Sequence, residues 1–426
     1  MLFLANVLEL NGGTTFILRV AREYAAKGRR IGVLVMFDIV NGQLEAELLK
    51  YADVYRLRDH AAWGTRSLFR SQLGAFMPLN KTGLDELVCR HGGHVHVMGV
   101  FGVLLLRRMA GMGVALKGVS FGIYHQNEIM YQSVPAYFSD CAQSLFSALP
   151  APSVVFFNEH TQRSHESFFG RDYGGASVLP IGVALPAWGG RSVGDSGSLR
   201  LVSIGQLHPF KAYNAHVISM LNELRESRPG LVYEIYGAGV NEAALRALTK
   251  HHKVEDFVHF KGVIGYEEIP AVLAGSFAFI GSGTSIIESS ALGVPSIVGI
   301  ESIKAPLTYG FLSEIEGYSY NEADGTQPLS AIKDKLLYLN DPSVWESEAQ
   351  ACRRKAESFS IEHTVEGLEQ LATQSDALRS FRATEYRNGR ALLSFLWWAL
   401  KERLGGPTTF SMRREQGSVK RPARKW

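Results

Sequence analysis

The sequence predicts an α/β protein of two doubly wound domains followed by a helical carboxyl-terminal tail. Three observations carry that prediction. Apolar runs of strand length alternate with segments of helical period along most of the chain, which is the pattern of parallel β-α-β units covered on both faces. The alternation breaks at residues 180–198, where two prolines, five glycines and four serines or aspartates make linker composition. The 426 residues also exceed a single domain of about 150 residues.

Residues 2–8, inside an apolar amino terminus, read as the first strand, with a helix at 14–27 and a second strand at 31–37. Strands at 94–100, 114–124 and 153–157, and a helix at 104–112, continue the first domain. After the linker the pattern restarts with strands at 199–204, 232–236, 258–260, 277–280 and 295–298, separated by helices at 215–226, 241–251, 267–273 and 285–292. The expected divisions are 1–187, 188–357, a helix at 358–385 crossing back toward the first domain, and a tail at 386–426. Ligands in open α/β sheets bind beyond the carboxyl ends of the strands. The two domains are therefore expected to face each other across a cleft that holds the active site.

Hydrophobic residues make up 46% and charged residues 20% of the chain, so it has enough apolar side chains for a sizeable core. The net charge of +3 is unevenly placed: from Lys401 onward eight Lys or Arg oppose two Glu, which leaves residues 1–400 at −3. A basic tail on an acidic body argues against a nucleic-acid-binding protein, whose basic face belongs to its folded domain. Cys89, Cys141 and Cys352 are too few and too scattered for a disulfide framework or a structural zinc site. The amino terminus lacks the basic start and cleavage pattern of a signal peptide, and no apolar run approaches the roughly 20 residues that span a bilayer. A cytoplasmic, reducing location is expected.

The candidate chemistry sits at strand ends. Gly12-Gly13, between the first strand and first helix, allows close backbone approach to an anion at a helix amino terminus, or simply makes a tight turn. Lys211 follows strand 199–204 and either pairs with a phosphate or is a solvated loop lysine. Gly237-Ala238-Gly239 ends the next strand. The segment Ile280 to Glu288 runs from an apolar strand through Gly281 and Gly283 into a helix opening at Thr284 and Ser285, whose N–H groups suit a diphosphate. Glu288, one turn inside, either accepts hydrogen bonds from a ribose diol or complements the helix dipole.

Together these segments resemble the retaining GT-B glycosyltransferases, most closely glycosyltransferase family 4. The resemblance runs in order through Gly12-Gly13, VSIGQLHPFK at 202–211, YEIYGAGVNEAAL at 233–245, VHFKGVIGYEEIP at 258–270, GSGTSIIESSALGVPSIVG at 281–299 and AESFSIEHTVEGL at 356–368. It implies transfer of a sugar from a nucleotide diphosphate sugar, as co-substrate, with retention at the anomeric carbon and no bound metal. It also implies roles: Gly12 and Gly13 beside the donor phosphates and acceptor, Lys211 on the diphosphate, Glu288 on the ribose, and His125, in GIYHQNE, near the reacting sugar. Without that resemblance, His125 also reads as a satisfied loop or core histidine. Two positions depart from the family pattern. Ile280 stands where the family's first paired glutamate falls, and Gln206 where an arginine usually precedes the lysine.

The expected function is a hexosyltransferase-type retaining enzyme acting on a glycan or lipid-linked acceptor in cell-envelope polysaccharide biosynthesis. A catalytically impaired GT-B assembly partner and a nucleotide-sugar epimerase are the alternatives. Residues 391–400 are apolar at all positions but Ser394 and include Trp397 and Trp398, with Arg387, Arg390, Lys401 and Arg403 around them. Such a segment suits either the anionic inner face of the cytoplasmic membrane, through residues 387–426, or packing on the protein body.

Overall fold

A computed structural model describes residues 1–9, 12–130, 137–186, 191–323, 325, 327–374 and 386–404. The ends of the expected crossing helix and tail, and residues 10–11 of the first loop, lie outside the described residues. The chain divides into two compact units, Met1–Gly182 with Ile361–Trp426, and Val183–Ser360. These divisions fall a few residues from the expected 187/188 and 357/358.

The first unit holds an all-parallel sheet of β1 (Leu2–Ala5), β2 (Ile31–Val35), β3 (Ala52–Arg56), β4 (His94–Met98), β5 (Gly118–Ile123), β6 (Val154–Phe156) and β7 (Ser177–Val178). Their order is β3-β2-β1-β4-β5-β6-β7. Every residue of β1, β2, β4, β5 and β6 is buried, as strands covered on both faces must be. The connections are α1 (Gly12–Ala26), α2 (Gly42–Leu49), α3 (Lys81–Arg90), α4 (Gly99–Gly111), α5 (Tyr137–Ala148) and α6 (Glu159–Phe169).

Sequence periodicity missed β3, because Asp53 and Arg56 break its apolar run and only Ala52 is buried. It also extended the fourth strand too far. Gly99 takes φ +75 and opens α4 there, where a longer side chain is strained.

The second unit is a smaller copy of the same plan. Strands β8 (Arg200–Ile204), β9 (Val232–Tyr236), β10 (Val258–Gly262), β11 (Ala278–Gly281) and β12 (Ser296–Val298) are parallel in the order β10-β9-β8-β11-β12. Its helices are α7 (Tyr213–Ser227), α8 (Glu242–His252), α9 (Ile269–Leu273), α10 (Thr284–Ala291), α11 (Ile332–Tyr338) and α12 (Pro342–Glu357). The chain then returns to the first unit. There α13 (Ile361–Gln374) packs Val365, Leu368 and Leu371 with Phe16, Ile17 and Val20 of α1, and α14 (Asn388–Arg403) follows. In both sheets the chain reverses its direction of travel beside the first strand, between β1 and β4 and between β8 and β11. These switch points leave crevices at the carboxyl edge.

Polar side chains also enter the first unit's core as a connected set. His94 Nε2 and His96 Nδ1 lie 2.9 and 2.8 Å from Ser120 Oγ, and His96 Nε2 lies 2.7 Å from the Tyr124 hydroxyl. Burial, and then the nearby amino-terminal charge, lowers the His94 pKa to about 4. Burial, and then His94, lowers that of His96 to about 3. Both rings are thus neutral in the folded protein at pH 7. An unfolded histidine takes up its proton near 6.5, so between that pH and about 4 the unfolded chain binds more protons. Stability from this pair is complete above about pH 6.5 and falls with acidification, by roughly 1.4 kcal/mol per pH unit for each ring. Denaturant unfolding from pH 7 to 5, followed through the first unit, is expected to show that slope, and the pair His94→Gln with His96→Gln to flatten it.

Candidate functional site

The candidate site of the second unit grows from the carboxyl ends of β9, β8 and β11, which are neighbours in the sheet. Gly205 follows β8 with φ +154. A Cβ there would lie 3.0 Å from Lys211 Nζ, so the glycine leaves room for that ammonium against the strand end. Gly237, at φ +136, has no such space: a Cβ would come 1.9 Å from the Gly205 carbonyl oxygen. One on Gly239 would come 2.2 Å from that of Leu207. Backbone hydrogen bonds lace the two turns together, from Gly205 to Tyr236 (2.9 Å), from Leu207 to Ala238 (3.0 Å) and from Asn241 to Leu207 (3.1 Å). Gly237 donates its own N–H to Gly262 at 2.7 Å. What approaches Gly237 and Gly239 closely is the protein's own backbone.

Lys211 is half-buried, and among the described residues no carboxylate pairs with its ammonium. Its loop is shaped by local bonds. Lys211 donates its N–H to His208 (3.0 Å), whose ring stacks on Phe210 and lies 3.1 Å from Gln206 Oε1. The Phe210 carbonyl accepts from Ser302 at 2.6 Å, which ties the loop to the one after β12.

Helix α10 begins at Thr284 behind Gly283, which has φ +69 and ψ −152. No side chain caps this helix, and its first turn carries no acid. Its leading N–H groups therefore remain available to an anion. Gly283 is held from both sides, donating to Asn321 Oδ1 at 2.9 Å and accepting from the Tyr320 hydroxyl at 2.9 Å. Ser282 donates to Glu301 Oε1 at 3.2 Å. Ser285 donates to the Ile204 carbonyl at 2.8 Å, so the helix start is bonded to the last residue of β8. Lys211 sits against the next residue, Gly205. The ammonium and the uncapped helix end thus meet at consecutive backbone positions.

Glu288 is buried one turn into α10. Tyr320 is buried beside it, and its pKa is pushed well up, first by burial, then by the charges of Glu322, Glu301 and Glu288. Gly281 has a packing reason of its own, since a Cβ would meet the Phe279 ring at 2.6 Å. Ile280 is wholly buried in β11 opposite Ile297, so that place offers core packing and no polar group.

In the first unit Gly12 and Gly13 are the opening residues of α1 rather than a loop before it. The segment read as a turn continues as helix because both residues take helical backbone geometry. Gly12 is exposed, with open space where a Cβ would stand. His125 is exposed after β5. It opens a turn in which Glu128 donates its N–H to the His125 carbonyl (3.0 Å), while Glu128 Oε2 accepts from Tyr124 (2.8 Å) and His125 (3.4 Å). At the switch point, a Cβ on Gly99 would meet Asn6 Nδ2 at 2.7 Å and Glu128 Oε1 at 3.5 Å. Asn6, Gly99 and Glu128 therefore come together at the carboxyl edge of the first unit's sheet.

Sequence reasoning missed Asn6, Gly99, Glu128, Glu301, Tyr320 and Asn321. Only Glu128 had a local signal, standing three residues after His125. Among the described residues no group of three or more His, Cys, Asp or Glu could hold a metal ion.

Two parallel switch-point units, with a lysine and an uncapped helix converging at one strand end of the second, define the class of fold. The comparisons agree with that class. Residues 192–302 match the family model described as Glycosyl transferases group 1. By sequence alone no curated relative matches. In fold, the chain is similar to HepE of Anabaena, solved with UDP and glucose, at 13% identity and a TM-score of 0.57 over 87% of this chain and 98% of that one. It is similar to a TarM variant of S. aureus, solved with fondaparinux, α-GlcNAc-glycerol and UDP, at 11% identity and 0.59 over 88% and 99%. The pneumococcal O-GlcNAc transferase GtfA, solved with UDP and GlcNAc, gives 12% and 0.52 over 88% and 99%. The chain has the GT-B fold, and the match to the group 1 glycosyltransferase model lies within its second unit.

The two glycine pairs separate by experiment. Gly237→Ala is expected to destabilise the second unit by on the order of 2–4 kcal/mol in urea unfolding, because its Cβ meets a backbone carbonyl. Gly12→Ala is expected to leave stability unchanged or raise it by about 0.5–1 kcal/mol. Equal stability of wild type and Gly237→Ala would remove the loop-on-loop packing from the account.

Proposed function

We propose that the protein is a retaining glycosyltransferase that moves a hexosyl group from a nucleotide diphosphate sugar to a glycan or lipid-linked acceptor. The observation that carries this reading is the meeting of Lys211 and the α10 amino terminus at Gly205 and Ile204. Departure of a nucleoside diphosphate develops negative charge on its β-phosphate while the sugar becomes oxocarbenium-like. Fixed donors and a cation at that phosphate stabilise the transition state more than the ground state. Lys211 supplies the point charge, the N–H groups of Thr284 and Ser285 the oriented dipoles, and Glu288 accepts from the ribose hydroxyls.

No protein nucleophile is assigned. The bond from the anomeric carbon to the phosphate oxygen breaks as the acceptor oxygen bonds to the same face, and the acceptor's proton passes to the leaving phosphate. His125, exposed on the Glu128 turn, and Gly12 and Gly13 stand on the acceptor side of this reading. The reaction needs no metal or other cofactor. We place it in the cytoplasm, peripheral to the inner membrane face, in cell-envelope polysaccharide biosynthesis. The UDP-bound sugar complexes of HepE and GtfA support a nucleotide-sugar donor.

A second reading has its own observation. Ile280 is sealed in the core and Gln206 is turned toward His208, so neither offers donor-sugar recognition or charge. A protein that binds the donor without transferring the sugar, and serves as an assembly partner, fits those two residues.

Lys211→Ala, with the wild-type melting temperature kept, and Glu288→Ala are each expected to lower transfer from a UDP-sugar by roughly 10²–10³. Chelation by EDTA is expected to change nothing. Full activity in either variant excludes that residue from the site. A UDP-induced thermal shift without turnover of any donor would favour the assembly reading, and conversion of the donor without an acceptor an epimerase.

A further inference from the structure

Helix α14 is held on the first unit in one rotational setting. Ala391 and Phe395 are buried, and the Phe395 ring lies 5.4, 5.8 and 5.5 Å from those of Phe76, Phe101 and Phe138. Trp398 meets Phe138 at 5.7 Å. Polar bonds pin the same face. Phe138 donates its N–H to Ser394 Oγ at 3.0 Å, Asn388 donates to the Phe76 carbonyl at 2.6 Å, and Arg387 donates its N–H to the Tyr137 hydroxyl at 3.0 Å.

The opposite face is also apolar, and it is open. Leu393, Leu396, Trp397, Leu400 and, at the helix end, Leu404 are 44–77% exposed. Their spacing of three, one, three and four residues puts them on a single stripe. By the same periodicity of about 3.6 residues per turn, exposed Lys401 borders the stripe on one side and exposed Arg403 on the other, while the Arg390 guanidinium lies 4.5 Å over the Tyr137 ring of the first unit. Lys401 Nζ lies 5.4 Å over the Trp397 ring. Residues 405–426 add six Lys or Arg against one Glu. No described helix is long and apolar enough to cross a membrane.

We propose that α14 docks the protein on an anionic lipid surface, burying this stripe at the acyl boundary with Lys401 and Arg403 among the headgroups. A tryptophan-bearing apolar face edged by Lys and Arg is the pattern of a helix lying in a bilayer interface. Basic residues on both edges and beyond the helix complement anionic headgroups. The same charges oppose a second copy of α14, because pairing two stripes would bring like charges together. This inference rests on the face of α14 and not on the glycosyl-transfer reading; vesicle binding tests it without reference to activity.

The test is sedimentation of the full-length protein with vesicles of phosphatidylcholine alone or mixed with phosphatidylglycerol. Binding is expected to the mixed vesicles only, and to weaken with salt. Trp397→Ser combined with Leu400→Ser changes two exposed residues, so the melting temperature should hold while the lipid needed for half-binding rises about tenfold or more. Lys401→Gln with Arg403→Gln, and truncation after Leu404, should each weaken binding. The proposal is overturned by absent binding, by equal binding to both vesicles, or by an unaffected Trp397→Ser, Leu400→Ser variant. It is overturned equally if that variant dissolves a dimer seen by light scattering, since a second copy then covers the stripe. Stronger binding after truncation would show the tail covering the stripe, with the same consequence.

Discussion

The second unit depends on a contact with no room in it. The Gly205 carbonyl oxygen occupies the place where a side chain on Gly237 would begin, 1.9 Å from its Cβ position. Because that turn is locked to β8, the end of the strand has one fixed position. Ser285 can then bond the Ile204 carbonyl, and Lys211 can rest where Gly205 has no side chain. A looser turn would let the helix end and the ammonium drift apart. Electrostatic stabilisation of a leaving phosphate works only when the donors are in place before charge develops. The glycines that at first suggest ligand contact instead fix the strand end that Lys211 and the start of α10 share.

The charges around this point are layered. Lys211 and the open N–H groups of α10 leave the strand end positive, while Glu288, Glu301 and Glu322 gather around the buried Tyr320 hydroxyl. Carboxylates near a helix amino terminus stabilise its dipole, so they support α10 before any ligand arrives. Tyr320 stays protonated because burial and these acids disfavour its anion, and it can therefore keep donating to Gly283. That bond and the one to Asn321 hold Gly283 at φ +69. Among the described residues the half-buried Lys211 has no carboxylate partner, and a charge withdrawn from water is costly to leave unpaired.

What was legible in the sequence is what local pattern can express. Parallel strands buried along most of their length read as apolar runs, so β1, β2, β4, β8, β9 and β11 were visible, as were the glycine turns after β8, β9 and β11. An edge strand such as β3, with Asp53 and Arg56 in it, has no such run. The groups that fix Gly283 come from Tyr320 and Asn321, in a loop distant in sequence, and nothing near Gly283 announces them. Asn6, Gly99 and Glu128 meet only because β1, β4 and β5 are neighbours in the sheet. Lys211, Thr284 and Glu288 could be named in advance because each follows its strand within a few residues. Gly12 and Gly13 were read as a turn between the first strand and first helix, yet an exposed first helical turn tolerates glycine.

Helix α14 shows how composition can be right about a segment and silent about its faces. A helix apolar almost all round is normally buried all round, and residues 391–400 suggested a choice between the protein body and a membrane. In the structure one face packs on the body and the other is exposed. Phe395 and Trp398 reach the core of the first unit, so the contact with the body is real and sets the rotation. Once that rotation is set, Leu393, Leu396, Trp397 and Leu400 have no freedom to turn inward. Isolated exposed residues such as Val240 and Val263 are ordinary surface and need no partner. Four large side chains in line on one rigid helix differ from these, because they form a continuous surface whose hydration cost is removed only by a second apolar surface.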